Sequence, residues 1–230
     1  MYDYGSLLQQ ISVFALPAIF AITLHEAAHG WVANKLGDDT ALRAGRVTFN
    51  PIRHIDPFGT ILMPLLLFFV SRGTFLFGYA KPVPVNFGRL RHPRRDMVWV
   101  AIAGPGINIA MAIAAALLFY LLPVVPTAVK LWAALNLRNA VMFNVVLAVF
   151  NMIPLPPLDG GRVAVGLLPR FLAFPLARLE RYGILIVIGV LFLVPWIGRE
   201  IGVDLDIVAI IIYWPANMIV QGIGWLTGVS

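Results

Sequence analysis

Residues 97–122, MVWVAIAGPGINIAMAIAAALLFYLL, form an unbroken run without a charged side chain. An α-helix needs about 20 such residues to cross the hydrocarbon core of a bilayer. Further apolar stretches lie at 7–34, 131–153, 183–197 and 206–227. Charged residues make up 12% of the chain, where a soluble domain carries about 25%, and mean hydropathy is +0.87. These features exclude an ordinary soluble domain. They predict an all-α polytopic membrane protein, a single membrane-embedded domain over 1–230 with a core at 7–165 and C-terminal helices over 183–227.

The net charge of +6 has a plain cause in such a protein. Lys and Arg gather in cytoplasmic loops and hold the orientation. No segment resembles a soluble nucleic-acid module, so nucleic acid is not an expected partner; the bilayer is. The N-terminal MYDYGSLLQQ lacks a basic n-region, so no cleaved signal peptide is expected. There is no cysteine, which removes disulfides and thiolate ligands.

Residues 59–71 decide the topology. This apolar segment of about 13 residues is short for a crossing. Its flanks, 35–58 and 72–96, are both rich in Lys and Arg, and a crossing would put them on opposite sides. A re-entrant segment keeps both inside. The expected layout has five crossings, N-terminus out and C-terminus in, with six as the alternative. RVTFN at 46–50 alternates like a strand, so short membrane-associated strands are expected too.

HEAAH at 25–29 lies at the inner end of the first helix. Positions i and i+4 share one helix face. Two imidazoles there can hold one Zn²⁺, and the glutamate between them can act as general base on water. With four His and three Glu in the chain, this pattern arises by chance about once in a thousand shuffles. Ionisable groups inside a membrane are costly and normally functional. A third ligand is needed if one position is to stay open for water. His54, His92, Glu180, Glu200 and the aspartates are candidates. Asp159 stands out, because PLPPLDGG stops a helix at its prolines and offers Gly160 and Gly161 for a turn that could re-aim the carboxylate. The five-crossing layout brings Asp159 to the same side as His25 and His29.

HEAAH, AGPGIN at 103–108 and NMIPLPPLDGG at 151–161 together resemble the site-2 protease family of intramembrane zinc metalloproteases, and FNPIRHIDPFGT at 49–60 resembles its short bacterial branch. The likeness runs from about residue 20 to 165. It implies Zn²⁺ held by His25, His29 and Asp159, with Glu26 as catalytic acid and base. It implies cleavage in or near a transmembrane helix of a membrane-protein substrate, in a prokaryotic cell membrane, with the site toward the cytoplasm. These 230 residues hold no insert long enough for a PDZ domain and no C-terminal CBS pair, so any gating by such domains is expected to be absent or supplied in trans. Asn108 is pointed by the resemblance toward the active-site cavity, to hold substrate or the oxyanion. Asn144 and Asn151 share a helix face that could look at the metal, with Asn151 favoured because it opens the matched motif. His54 could supply a fourth ligand or a plug, with a loop role preferred. An ion or metal transporter using His25, Glu26 and Asp159 as a relay is a weaker alternative. A non-catalytic zinc scaffold is weaker still, since it has no use for Glu26.

Overall fold

The computed structural model describes residues 7–63, 66, 81–202 and 207–229. Helix α1 (Leu7–Lys35) carries HEAAH near its C-terminal end. It stops at Gly37, whose φ of 113° suits glycine. The Gly37 N–H donates to Asn34 O and the Asp38 N–H to Ala33 O, at 3.3 and 2.9 Å. This paired closure satisfies carbonyls that a helix end otherwise leaves open. A short helix α2 (Thr40–Arg43) follows.

The chain returns to this turn before the next long helix. The Arg91 N–H donates to Leu36 O at 3.0 Å, and fully buried Asp38 accepts the Asn86 N–H at 2.6 Å. Within the same excursion the Lys81 N–H donates to His54 O at 3.0 Å. Helix α3 (Pro93–Leu118) therefore starts beside the end of α1. Proline opens it, where a missing N–H costs nothing, and Asp96 reaches back to accept the His92 N–H at 2.8 Å. Helix α4 (Thr127–Asn151) runs back from the far side and ends shortly before Pro154. The elbow leads into α5 (Asp159–Leu167) and the basic, amphipathic α6 (Arg170–Arg178).

Helices α1, α3 and α4 pack against one another, and α5 packs on α3. Small residues let the axes approach closely, which is how membrane helices gain contact. Ala112, Ala115 and Ala116 of α3 meet Val141 and Val145 of α4. Ala216 and Ile223 of the last helix join them. Side chains also bond across helices, with Trp132 Nε1–H donating to Ser12 Oγ at 2.8 Å and Asn139 to Val13 O at 2.6 Å.

Among the described residues four helices are long and apolar enough to cross a membrane: Ile11–Lys35, Pro93–Val124, Thr127–Asn151 and Ala209–Thr227. This supports the all-α membrane class. The span expected near 183–197 falls in α7 (Gly183–Ile188), a π-helical segment Gly189–Leu193 and α8 (Val194–Glu200), which follow one another but are not among the four. The last helix, α9 (Trp214–Thr227), continues a π-helical Ala209–Tyr213. Most of the expected re-entrant segment 59–71 lies outside the described residues. Its opening, Pro57–Leu62, is a π-helical turn capped by the Asp56 carboxylate.

The expected strand at 46–50 is not observed, and no strand occurs among the described residues. The local polar side chains explain why. Thr48 Oγ1 accepts the Asn50 N–H, and Asn50 Oδ1 caps the 3₁₀ turn Pro51–His54 by accepting from Ile52. Such local bonds satisfy backbone groups that a strand would need for a partner.

Candidate metal centre

His25 and His29 sit one turn apart on the buried face of α1. Their Nε2 atoms approach to 3.1 Å, and each lies 3.2 Å from Asp159 Oδ2. Four ligands placed tetrahedrally about zinc at ~2.0–2.1 Å are separated by about 3.3 Å, so this spacing suits one ion. Asp159 reaches the histidines because α5 begins immediately after the proline elbow. Gly160 and Gly161 have ordinary φ values, so the expected re-aiming turn is not their role. A Cβ on Gly160 would lie 2.2 Å from Met152 O, and one on Gly161 would lie 2.1 Å from Pro156 N. They are glycine because α5 starts in backbone contact with the elbow.

The chemistry of the three atoms calls for a cation. His29 Nδ1–H donates to the backbone carbonyl of Val100 at 2.7 Å, and His25 Nδ1–H donates to Asn108 Oδ1 at 2.6 Å. Neutral imidazoles donating from Nδ1 present lone pairs at Nε2. Asp159 Oδ2 is buried without a hydrogen-bond donor. Three acceptor atoms thus face one another in a buried pocket, which is unfavourable unless a positive charge lies among them. Helix α3 contributes the floor through Gly104. A Cβ there would lie 2.4 Å from His29 Nε2 and 2.6 Å from His25 Cε1. The donor set, the orphaned oxygen and the glycine-lined space all fit a zinc-type ion.

Glu26 follows His25 in α1, lies within electrostatic range of His29 and is half-buried. Its Oε2 accepts the N–H of Val83 at 2.6 Å. Val83 stands between Pro82 and Pro84, neither of which has an N–H, so it is the only backbone donor of the three. The residue before each proline is held extended.

The other candidates separate clearly. Asn108, fully buried, bonds His25, and Asn144 bonds Asn108 at 2.7 Å. Asn151, favoured over Asn144 by the motif, instead donates to Leu147 O on its own helix at 3.0 Å. His54 is not in the cluster. Its Nε2–H donates to Thr48 O at 3.2 Å. Burial and the nearby Arg46 guanidinium hold its pKa below the ordinary value. His92 occupies the position before α3 with no capping bond from its side chain, and Glu180 pairs with Arg162 at 3.6 Å. Sequence reasoning missed the Val100 carbonyl and the Val83 N–H, which are backbone groups without a residue signature. It also missed the reason for Gly104, although a glycine conserving no turn inside an apolar helix is a hint of close approach.

Apolar helices of spanning length, with a buried His–His–Asp cluster and a glutamate beside it, define the class as a membrane protein with a metallohydrolase-type centre. Over 184 residues the chain is 40% identical to a Bacillus subtilis protein, YwhC, named as a candidate zinc metalloprotease; the match covers 77% of this chain and 78% of that one. Rip2 of Mycobacterium tuberculosis, named likewise, is 31% identical over 62% of this chain, which spans about half of that protein's length (52%). Rip2 of Mycolicibacterium smegmatis is 28% identical over 84% of this chain and 72% of its own. The chain belongs to the site-2 protease family. No family model matches it, and no solved structure does.

Proposed function

We propose that the chain is an intramembrane zinc metalloprotease that hydrolyses a peptide bond in or near a transmembrane helix of a membrane-protein substrate. The observation that carries this is the meeting of His25 Nε2, His29 Nε2 and Asp159 Oδ2 within 3.1–3.2 Å beside Glu26. These three side chains would hold the ion. Bound there, zinc supplies Lewis acidity toward the scissile carbonyl and toward water. The protein's own groups do the rest. His25 and His29 keep their Nε2 lone pairs inward because their Nδ1–H groups are engaged. Glu26, with Oε2 held by Val83, handles protons at its other oxygen. It takes one from water as the water oxygen bonds to the carbonyl carbon, and passes it to the amide nitrogen as the C–N bond breaks.

The layout we favour has five crossings, N-terminus outside and the centre toward the cytoplasm. The backbone bonds Arg91 to Leu36 and Lys81 to His54 support it. They return the chain to where it left, which speaks against a single crossing between them and leaves both basic flanks on one side.

Glu26→Gln tests the function. The variant is expected to bind zinc as the wild type does and to trap partners in native membranes by cross-linking. Captured partners are then incubated in liposomes with zinc-loaded wild type, and mass spectrometry reads new termini. Cleavage within a transmembrane segment, abolished by chelator and by Glu26→Gln, is expected. Partners left intact by the zinc-loaded wild type would overturn the reading.

A further inference from the structure

We propose that Asn144 and Asn108 act in series to fix the tautomer of His25, and so to aim its Nε2 lone pair into the metal cluster. This rests on the zinc-centre reading above. The relay starts at a backbone carbonyl. Asn144 Nδ2 donates to Ala140 O, one turn back on α4, at 2.8 Å. That fixes the orientation of the Asn144 amide and leaves its Oδ1 facing α3. There it accepts from Asn108 Nδ2 at 2.7 Å. The same Nδ2 donates to Ala21 O of α1 at 3.1 Å. Both hydrogens of the Asn108 amide are now used, and both acceptors are oxygens.

Asn108 therefore has only Oδ1 to offer His25, at 2.6 Å from Nδ1. An amide oxygen accepts and cannot donate, so the imidazole carries its hydrogen on Nδ1. The reversed Asn108 amide would set its oxygen against two other oxygens, Ala21 O and Asn144 Oδ1. Asn108 and Asn144 are 0% and 1% exposed, so water cannot relieve that arrangement. Two backbone carbonyls, on α4 and α1, thus set the protonation site of a ring on α1 through two side chains. His29 is built differently, since its Nδ1 partner is the Val100 carbonyl, which no side-chain substitution removes.

This assignment changes the role expected of Asn108. Its two donors are spent on Ala21 and Asn144, so it is a positioning residue for His25 and not a donor to substrate or oxyanion. It also ranks the two asparagines of α4. Asn144 lies in the relay, whereas Asn151 bonds within its own helix.

The test uses the full chain, purified in its membrane mimetic, with Asn108→Leu, Asn144→Leu and Asn151→Leu. Zinc affinity is read by chelator competition, and the ¹⁵N resonances of labelled histidine report which ring nitrogen of His25 carries hydrogen. Outer partners of metal-bound histidines are worth about 10–100-fold in affinity, so Asn108→Leu should lose zinc by that factor. It should also populate the Nε2–H form in metal-free protein. Asn144→Leu should fall between it and the wild type, because Ala21 still orients Asn108. Asn151→Leu should match the wild type. If Asn108→Leu fails to fold, Asn144→Leu decides. Wild-type affinity with an unchanged His25 resonance in the Asn108→Leu variant, or in Asn144→Leu where that one decides, overturns the proposal. A wild type that binds no zinc refutes the metalloprotease reading instead, and the ¹⁵N signature of the metal-free protein still decides the relay.

Discussion

Gly104→Ala adds one carbon to a helix that should welcome it. Alanine is favoured over glycine in a helix interior by about 1 kcal/mol. The added Cβ, however, would stand 2.4 Å from His29 Nε2 and 2.6 Å from His25 Cε1. Non-bonded heavy atoms of this kind settle near 3.5 Å, so the His29 ring must retreat by about 1 Å. Metal–ligand distances tolerate about 0.2 Å, and the ring cannot tilt freely because Val100 O holds its Nδ1. The substitution therefore costs a ligand. Zinc sites of four ligands bind with about 10–16 kcal/mol, or about 3 kcal/mol for each ligand, which is roughly a hundredfold loss in affinity at 1.4 kcal/mol per decade. The control is two residues away: a Cβ on Gly106 meets nothing within 4 Å. Zinc titration against graded chelators, with thermal melting of metal-free protein, separates the two effects. Gly106→Ala should keep wild-type zinc affinity. Gly104→Ala that binds zinc as tightly as the wild type would refute the reasoning, because the carbon would then not occupy the ion's space.

Two other substitutions probe the surroundings of the centre. Val83→Pro removes the N–H that Glu26 accepts, while Val83→Ala keeps it; a hydrogen bond to a charged group is worth about 1.5–3 kcal/mol, so Val83→Pro should slow cleavage of a captured substrate roughly 10–100-fold with zinc content unchanged, and Val83→Ala should stay within a few-fold of wild type. His54 has its folded pKa below the ordinary value of 6.5, so the unfolded chain binds more protons as pH falls through that value and stability drops with acidification. The melting temperature of metal-free wild type should fall between pH 7.5 and 5.5, which bracket the ordinary histidine value, by more than that of His54→Gln. Equal slopes would show that His54 is not held neutral by its surroundings.

The long-range plan of the molecule was legible because each part rests on a period or a composition. The run at 97–122 could only be a buried or spanning helix, and HEAAH places two rings on one face whatever surrounds it. LDGG after a proline elbow singled out Asp159, and the loop charges placed it on the same side as the two rings. What misled was local competition. RVTFN alternates, but Thr48 and Asn50 spend their side chains on nearby backbone and no strand forms. Asn144 and Asn151 are equivalent by spacing, and only the approach of α3 to α4 distinguishes them. Gly160 and Gly161 suggest a turn by residue type, whereas the close approach of Met152 and Pro156 backbone is a tertiary fact. The Val83 N–H and the Val100 carbonyl had no side-chain signature to read.

The separation of His29 and Asp159 by 130 positions has a meaning for biosynthesis. Ribosomes add about 5–20 residues per second, so the third ligand, Asp159, is translated roughly 6–26 seconds after the second imidazole. During that interval α1 and α3 can dock and set both rings, yet the nascent chain holds only a two-coordinate half-site. Tight metal capture waits for the elbow after α4 to fold back against them. Order of synthesis thus delays the complete three-ligand cluster until the residue farthest along the chain, Asp159, has been made and folded back.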